Sequence, residues 1–250
     1  MESLKASMAH TITTNEDETQ QMNNNRVLLQ GVIASDPRYS HEMFGEGFYE
    51  MTLSVNRLSN IQDLIPITLS ERLIQDEKII KGKELVIRGQ FRSYNKLVDG
   101  RSKLMLTVFV REVLHDVEID NPNIIELTGY ICKAPIYRTT PFNREITDIL
   151  VAVNRSFNKS DYIPAIAWGR NARFAEALKV GDKVNLSGRI QSREYQKKLD
   201  NGEVETRTAY EISINKVSQD AIESAFEAID GVTTMIGEDS SDVVAEILAN

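Results

Sequence analysis

Cysteine, histidine and tryptophan are scarce in this sequence, which has one, three and one of them in 250 residues. A single Cys132 cannot close an internal disulfide and has no metal-ligand companion, so a reducing compartment is expected. Because it follows an apolar strand, it reads as a small core residue rather than a nucleophile. His10, His41 and His115 are scattered, with no Glu or Cys at metal-ligand spacing. No glycine-rich phosphate loop occurs, and no apolar run reaches the roughly 18 residues of a membrane helix. Asn23, Asn24 and Asn25 stand where a signal peptide would need an apolar stretch. Together these absences lead to the expectation of a cytoplasmic protein with no catalytic constellation, no metal, no cofactor and no membrane segment.

The net charge of -8 argues against a phosphate-binding surface unless the acids are segregated. They are. Residues 25–113 hold 13 bases and 11 acids, and residues 123–217 hold 15 bases and 11 acids. The excess acid lies in residues 1–24, in 114–122 and above all in 218–250, which has eight acids and no base.

Internal repetition fixes the architecture. Gly31 matches Gly129, Pro37 matches Pro135, Val55-Asn56-Arg57 matches Val153-Asn154-Arg155, and Ile65-Pro66 matches Ile163-Pro164, all 98 positions apart. Gly82 and Gly89 match Gly181 and Gly188 at 99, and Asp99-Gly100 matches Asn201-Gly202 at 102. Two domains follow, 25–113 and 123–217, joined by a linker at 114–122. They are flanked by a polar leader over 1–24, expected to be disordered, and an acidic, partly helical tail over 218–250.

Each copy is strand-like. Apolar runs at 26–34 and 124–132 and alternation at 48–57 and 147–156 predict strands, with another over Ile163–Trp168. Ala172, Ala175 and Leu178 suit a short helix, after which strands flank an Asn-Gly hairpin turn. Three strands, a short helix and two more strands give the order of the oligonucleotide/oligosaccharide-binding barrel, the OB-fold, so the chain is expected to be all-β with two tandem five-stranded OB-fold barrels.

With these residues laid out, the second copy resembles bacterial single-stranded-DNA-binding proteins. The resemblance is carried by Gly129, Pro135, Val153-Asn154-Arg155-Ser156-Phe157, Tyr162, Ile166-Ala167-Trp168-Gly169-Arg170, Leu178 to Val184 and Ser187 to Arg193. It covers nearly all of 123–217 and, more loosely, 25–113. It implies bases stacking on Phe157, Tyr162, Trp168 and Tyr195, and phosphates tracked by Arg155, Lys159, Arg170, Arg173, Arg193, Lys197 and Lys198. In the first copy the four aromatic positions read Ser59, Leu64, Ser70 and Lys96. Phe48, Tyr49, Phe91 and Tyr94 remain candidates for a different platform there. Against these readings stand a buried Trp168, a merely solvated Lys197-Lys198 hairpin tip, and an interface or scaffold role for Arg57 and Arg155.

The resemblance further implies sequence-tolerant single-stranded DNA binding in replication, recombination or repair, a nucleoid-associated location and a homodimer presenting four barrels. An acidic tail recruits replication and repair proteins in that family. Here Ile247-Leu248 replaces the family's closing Pro-Phe, and an amphipathic helix packed back on the barrels is the competing reading. A primosome-type protein adaptor and single-stranded RNA binding are the functional alternatives.

Overall fold

Period-two alternation of apolar residues builds the molecule from strands, and among the described residues one short helix interrupts them in each half. The structure, a computed structural model, describes residues 24–226 apart from 58, 60, 99, 118 and 199–201. The first half contains β1 (Asn25–Ile33), β2 (Arg38–Met43), β3 (Glu46–Asn56), β4 (Gln62–Ser70), α1 (Glu71–Asp76), β5 (Glu84–Val98) and β6 (Arg101–Leu114). The second repeats it with β7 (Asn123–Ile131), β8 (Ile136–Thr139), β9 (Glu145–Arg155), β10 (Lys159–Trp168), α2 (Arg170–Glu176), β11 (Lys183–Lys198) and β12 (Val204–Ser218). The leader through 23, the Leu199-Asp200-Asn201 part of the hairpin turn and the tail from 227 onward lie outside the described residues.

Each half closes into a barrel, β1-β3-β4-β6-β5 and β7-β9-β10-β12-β11. All neighbours are antiparallel except β4–β6 and β10–β12. These are the two tandem OB-folds. Each half also carries one short outer strand, β2 or β8, that the sequence pattern does not register. The order is therefore four strands, helix, two strands. β2 and β8 are almost wholly exposed, so they lack the alternation that marks a half-buried strand. The helix predicted over 171–178 runs from Arg170 to Glu176 and buries Ala172 and Ala175, with the Thr147 hydroxyl donating to Ala172 O at 2.7 Å.

The repeated glycines mark where backbones cross. A Cβ on Gly31 would lie 2.3 Å from Ser54 O, and one on Gly129 would lie 2.6 Å from Ala152 O, where the first strand meets the third. Gly89 and Gly188 sit at register shifts in the last hairpins, each tight against a carbonyl, of Phe109 and Ser213 respectively.

The barrels join by antiparallel pairing of β1 with β7. Val27 lies opposite Ile125, its own equivalent in the repeat, so a pseudo-twofold axis passes between them. Side-chain groups around that axis come in matched pairs. Asn25 exchanges two hydrogen bonds with the Phe91 backbone (2.7 and 2.8 Å), and Asn123 does the same with Ile190. Asp63 is fully buried, held by the Arg57 guanidinium (2.7 Å twice), the Ser192 N–H (2.7 Å) and Arg189 of the other barrel. Asp161 takes the Ser93 N–H (2.7 Å), Arg92 (3.1 Å) and Arg155 (3.4 Å). Burial pushes the Asp63 carboxyl up, but the Arg57 bonds, the Ser192 amide and the Arg189 charge outweigh it and hold it below the ordinary carboxylate value. Beyond β12 the chain folds back over this seam. Glu126 accepts from the Ser224 hydroxyl and the Ala225 N–H, both at 2.7 Å, while the fully buried Phe226 ring lies 4.3 Å beneath the Arg26 guanidinium.

Candidate nucleic-acid interface

On β10 the odd residues Ile163, Ala165 and Ala167 enter the core, so Tyr162, Pro164 and Trp168 point outward from the barrel, as does Ile166, which is nonetheless buried. On β11 the core residues are Val184, Leu186 and Ile190, which turns Arg193 and Tyr195 outward, while Arg189 reaches Asp63 at the seam and Gln191 is buried against Glu211. Pro164 and Tyr195 line a cleft of about 650 Å³ between the barrels, whose other wall includes Glu50, Tyr94 and Lys103 of the first. Tyr162, Trp168 and Tyr195 are 46%, 38% and 37% exposed, so Trp168 is not a core residue.

Phe157 is the outlier. It tips the β9–β10 hairpin at 93% exposure, with positive φ at both Phe157 (62°) and Asn158 (52°). A bulky residue in the left-handed region is strained, and here no packing compensates.

The cations divide into two groups. Lys159, Arg170, Lys197 and Lys198 are exposed and form no ion pair among the described residues. The rest are engaged. Arg155 turns to buried Asp161 at the seam, Arg173 pairs with Glu145 at 2.8 Å, and Arg193 with Glu211 at 3.4 Å. Glu145 also accepts from the Tyr137 hydroxyl (2.9 Å), and its carboxyl is held low first by Arg173 and then by Tyr137. This network walls a cleft of about 720 Å³ beside Trp168.

The outer face of the first barrel is built differently. Phe91 is fully buried in the core, and Tyr49 makes an edge contact with Tyr39. Tyr94 faces outward, donates to Glu50 (3.0 Å) and has its phenol pushed up to about 12 by burial and that carboxylate. Where the second barrel has Trp168 opposite Ile146 and Ile166 opposite Ser213, the first has Ser70 opposite Phe48 and Thr68 opposite Phe109. Sequence reasoning missed Phe109, Arg111 and the inter-barrel Asp63, Asp161, Ser93 and Ser192. The last four obey the repeat offsets of 98 and 99, which was the available signal. Phe109 had none, because its counterpart Ser213 is not aromatic.

Residues 122–220 match the model of the single-strand binding protein family. The single-stranded DNA-binding protein of Clostridium tetani is 35% identical over 83 residues, covering 30% of this chain and 57% of that one. The similarity to the single-strand binding protein family thus lies in the second barrel. Single-stranded DNA-binding protein A of Bacillus subtilis is 33% identical over 81 residues, with 30% and 47% covered. The chain thus spans about half the length of the curated relatives it matches. The wild-type single-stranded DNA binding protein of Thermus aquaticus superposes with a TM-score of 0.61 at 18% identity, covering 80% of this chain and 95% of that one, which extends the shared fold over both barrels. Among the described residues no helix is long and apolar enough to cross a membrane.

Proposed function

We propose that the chain binds single-stranded DNA with little regard to sequence, without catalysis, and chiefly through the outer face of the second barrel. The observation that carries this reading is that Tyr162 and Trp168 on β10, Tyr195 on β11 and Phe157 at the β9–β10 tip all stand exposed on the second barrel, with lysines that form no ion pair among the described residues on the same strands. Every base offers a π-face, so stacking on these rings contributes roughly 1–3 kcal/mol per base whatever the sequence. Lys159, Arg170, Lys197 and Lys198 supply charge for phosphates, whereas Arg155, Arg173 and Arg193 serve first to fix the seam and the walls of the surface. Work in replication, recombination or repair and a cytoplasmic location accord with the names of the relatives, single-stranded DNA-binding proteins of bacteria.

Fluorescence anisotropy with labelled oligo-dT over a salt series tests this. Log K should fall with log salt at about -0.7 per neutralised phosphate. An absence of binding at low salt would refute it, and preference for an RNA strand of the same sequence would reassign the ligand.

A further inference from the structure

The first barrel lacks aromatics at the four stacking positions, yet the place corresponding to Trp168 is not bare. We infer that His41, Phe48, Phe109 and Arg111 form a displaced platform there that takes an unpaired nucleobase and its phosphate, as a second, weaker subsite of the same strand. The inference rests on the strand-binding reading above.

The geometry follows from the strand order. His41 on β2 lies directly across from Phe48 on β3, so both side chains share the outer face. Their rings are nearly parallel, 11° apart, with centroids 5.1 Å from each other. Phe48 in turn meets Phe109 at 5.5 Å and 34°. Ser70, which stands where the other barrel has its tryptophan, is cross-strand to Phe48, and Phe109 is registered against Thr68 two residues earlier on the same strand. Aromatic volume has moved from the central strand to the two beside it.

Arg111 closes the far end. It is the extra residue of a β-bulge, since Arg88 pairs with Glu112 and Gly89 with Val110, and bulges re-aim side chains out of the alternating pattern. Its guanidinium lies 5.1 Å from the Phe109 ring centre. It donates to Gln90 Oε1 at 3.2 Å and pairs with no carboxylate among the described residues. That distinguishes it from Arg38, Arg138, Arg173 and Arg193, all tied to acids. Arg92, which shares Gln90 Oε1 with it, is itself paired with Asp161.

Phe48 is buried and supports the row, while His41 and Arg111 are exposed at its ends. Imidazole and guanidinium planes are both surfaces on which bases stack, and a guanidinium also reaches phosphate. A surface mini-core that merely filled the space left by tryptophan would need neither an exposed cation nor an exposed imidazole at its ends.

The test compares wild type with His41→Ala/Arg111→Ala, both changes at exposed positions, and with Phe109→Leu, which keeps apolar cover but removes the ring. Affinity is measured for oligo-dT of about 10 nucleotides, within the reach of one barrel, and of about 35, enough for both. The double variant should keep its melting temperature and its affinity for the short strand. For the long strand it should lose about 5-fold or more, and Phe109→Leu should lose a part of that. Unchanged affinity for the long strand overturns the platform, as does a lowered melting temperature with affinity intact, which would be the signature of packing alone. If wild type itself binds neither length, the strand-binding reading has failed. If wild type binds and the variants match it, only the platform has.

Discussion

At the seam the two barrels are near copies, with Asn25 and Asn123, Asp63 and Asp161, Ser93 and Ser192 making corresponding bonds on either side of one axis. On the outer face they have parted, one keeping Phe157, Tyr162, Trp168 and Tyr195 where the other has Ser59, Leu64, Ser70 and Lys96. Groups buried between the barrels are constrained from both sides, because each partner must satisfy a buried donor or acceptor. Residues on a solvated face are free to change, and there the chemistry of the two barrels is set.

The largest expected effect breaks this comparison on the functional side. Phe157→Ala with Tyr195→Ala should cost about 2–6 kcal/mol of binding free energy to oligo-dT, read by anisotropy, whereas Ser59→Ala with Lys96→Ala should cost under about 1 kcal/mol. Comparable losses would refute the asymmetry.

Next comes the seam, where the barrels should behave alike. Asp63→Asn leaves Arg57 and Arg189 without their buried counter-charge and should lower stability by about 3 kcal/mol in urea denaturation, with Asp161→Asn giving a loss of the same order. Acid should act on the same group. The folded value of Asp63 is depressed, so its contribution is complete above the unfolded carboxylate value of about 4 and is lost as pH falls through the lower folded value. Urea midpoints in wild type should therefore decline below about pH 4, and the decline should be shallower in Asp63→Asn.

Much of this was legible in the sequence, because a repeat counts every structural requirement twice. Gly31 with Gly129 and Gly89 with Gly188 announced themselves by their spacing, and the close approach of a carbonyl to each shows why no side chain fits there. Arg57 with Arg155 appeared equally clearly, but spacing could not say that their partners were the buried carboxylates Asp63 and Asp161. The short strands β2 and β8 escaped because an exposed strand has no apolar face to declare it. The row from His41 to Arg111 escaped for the opposite reason. It exists only in one copy, and its members lie far apart in sequence.

Smaller effects sharpen the comparison further. Removing the two hairpin lysines, Lys197→Gln with Lys198→Gln, should flatten the salt dependence by about 0.7 for each phosphate that is no longer neutralised, with melting temperature unchanged. A slope equal to that of wild type would make this tip a solvated one without a role in binding.

The single tryptophan gives the most direct test of the claim that the second barrel is the principal stacking surface. Trp168 lies on that surface and has no counterpart in the first barrel. Titration of the wild-type chain with oligo-dT, followed by Trp168 emission and by anisotropy of the labelled strand together, should show strong quenching that saturates at the same stoichiometry as binding. Saturable binding by anisotropy with Trp168 emission unchanged would contradict it and place the strand elsewhere.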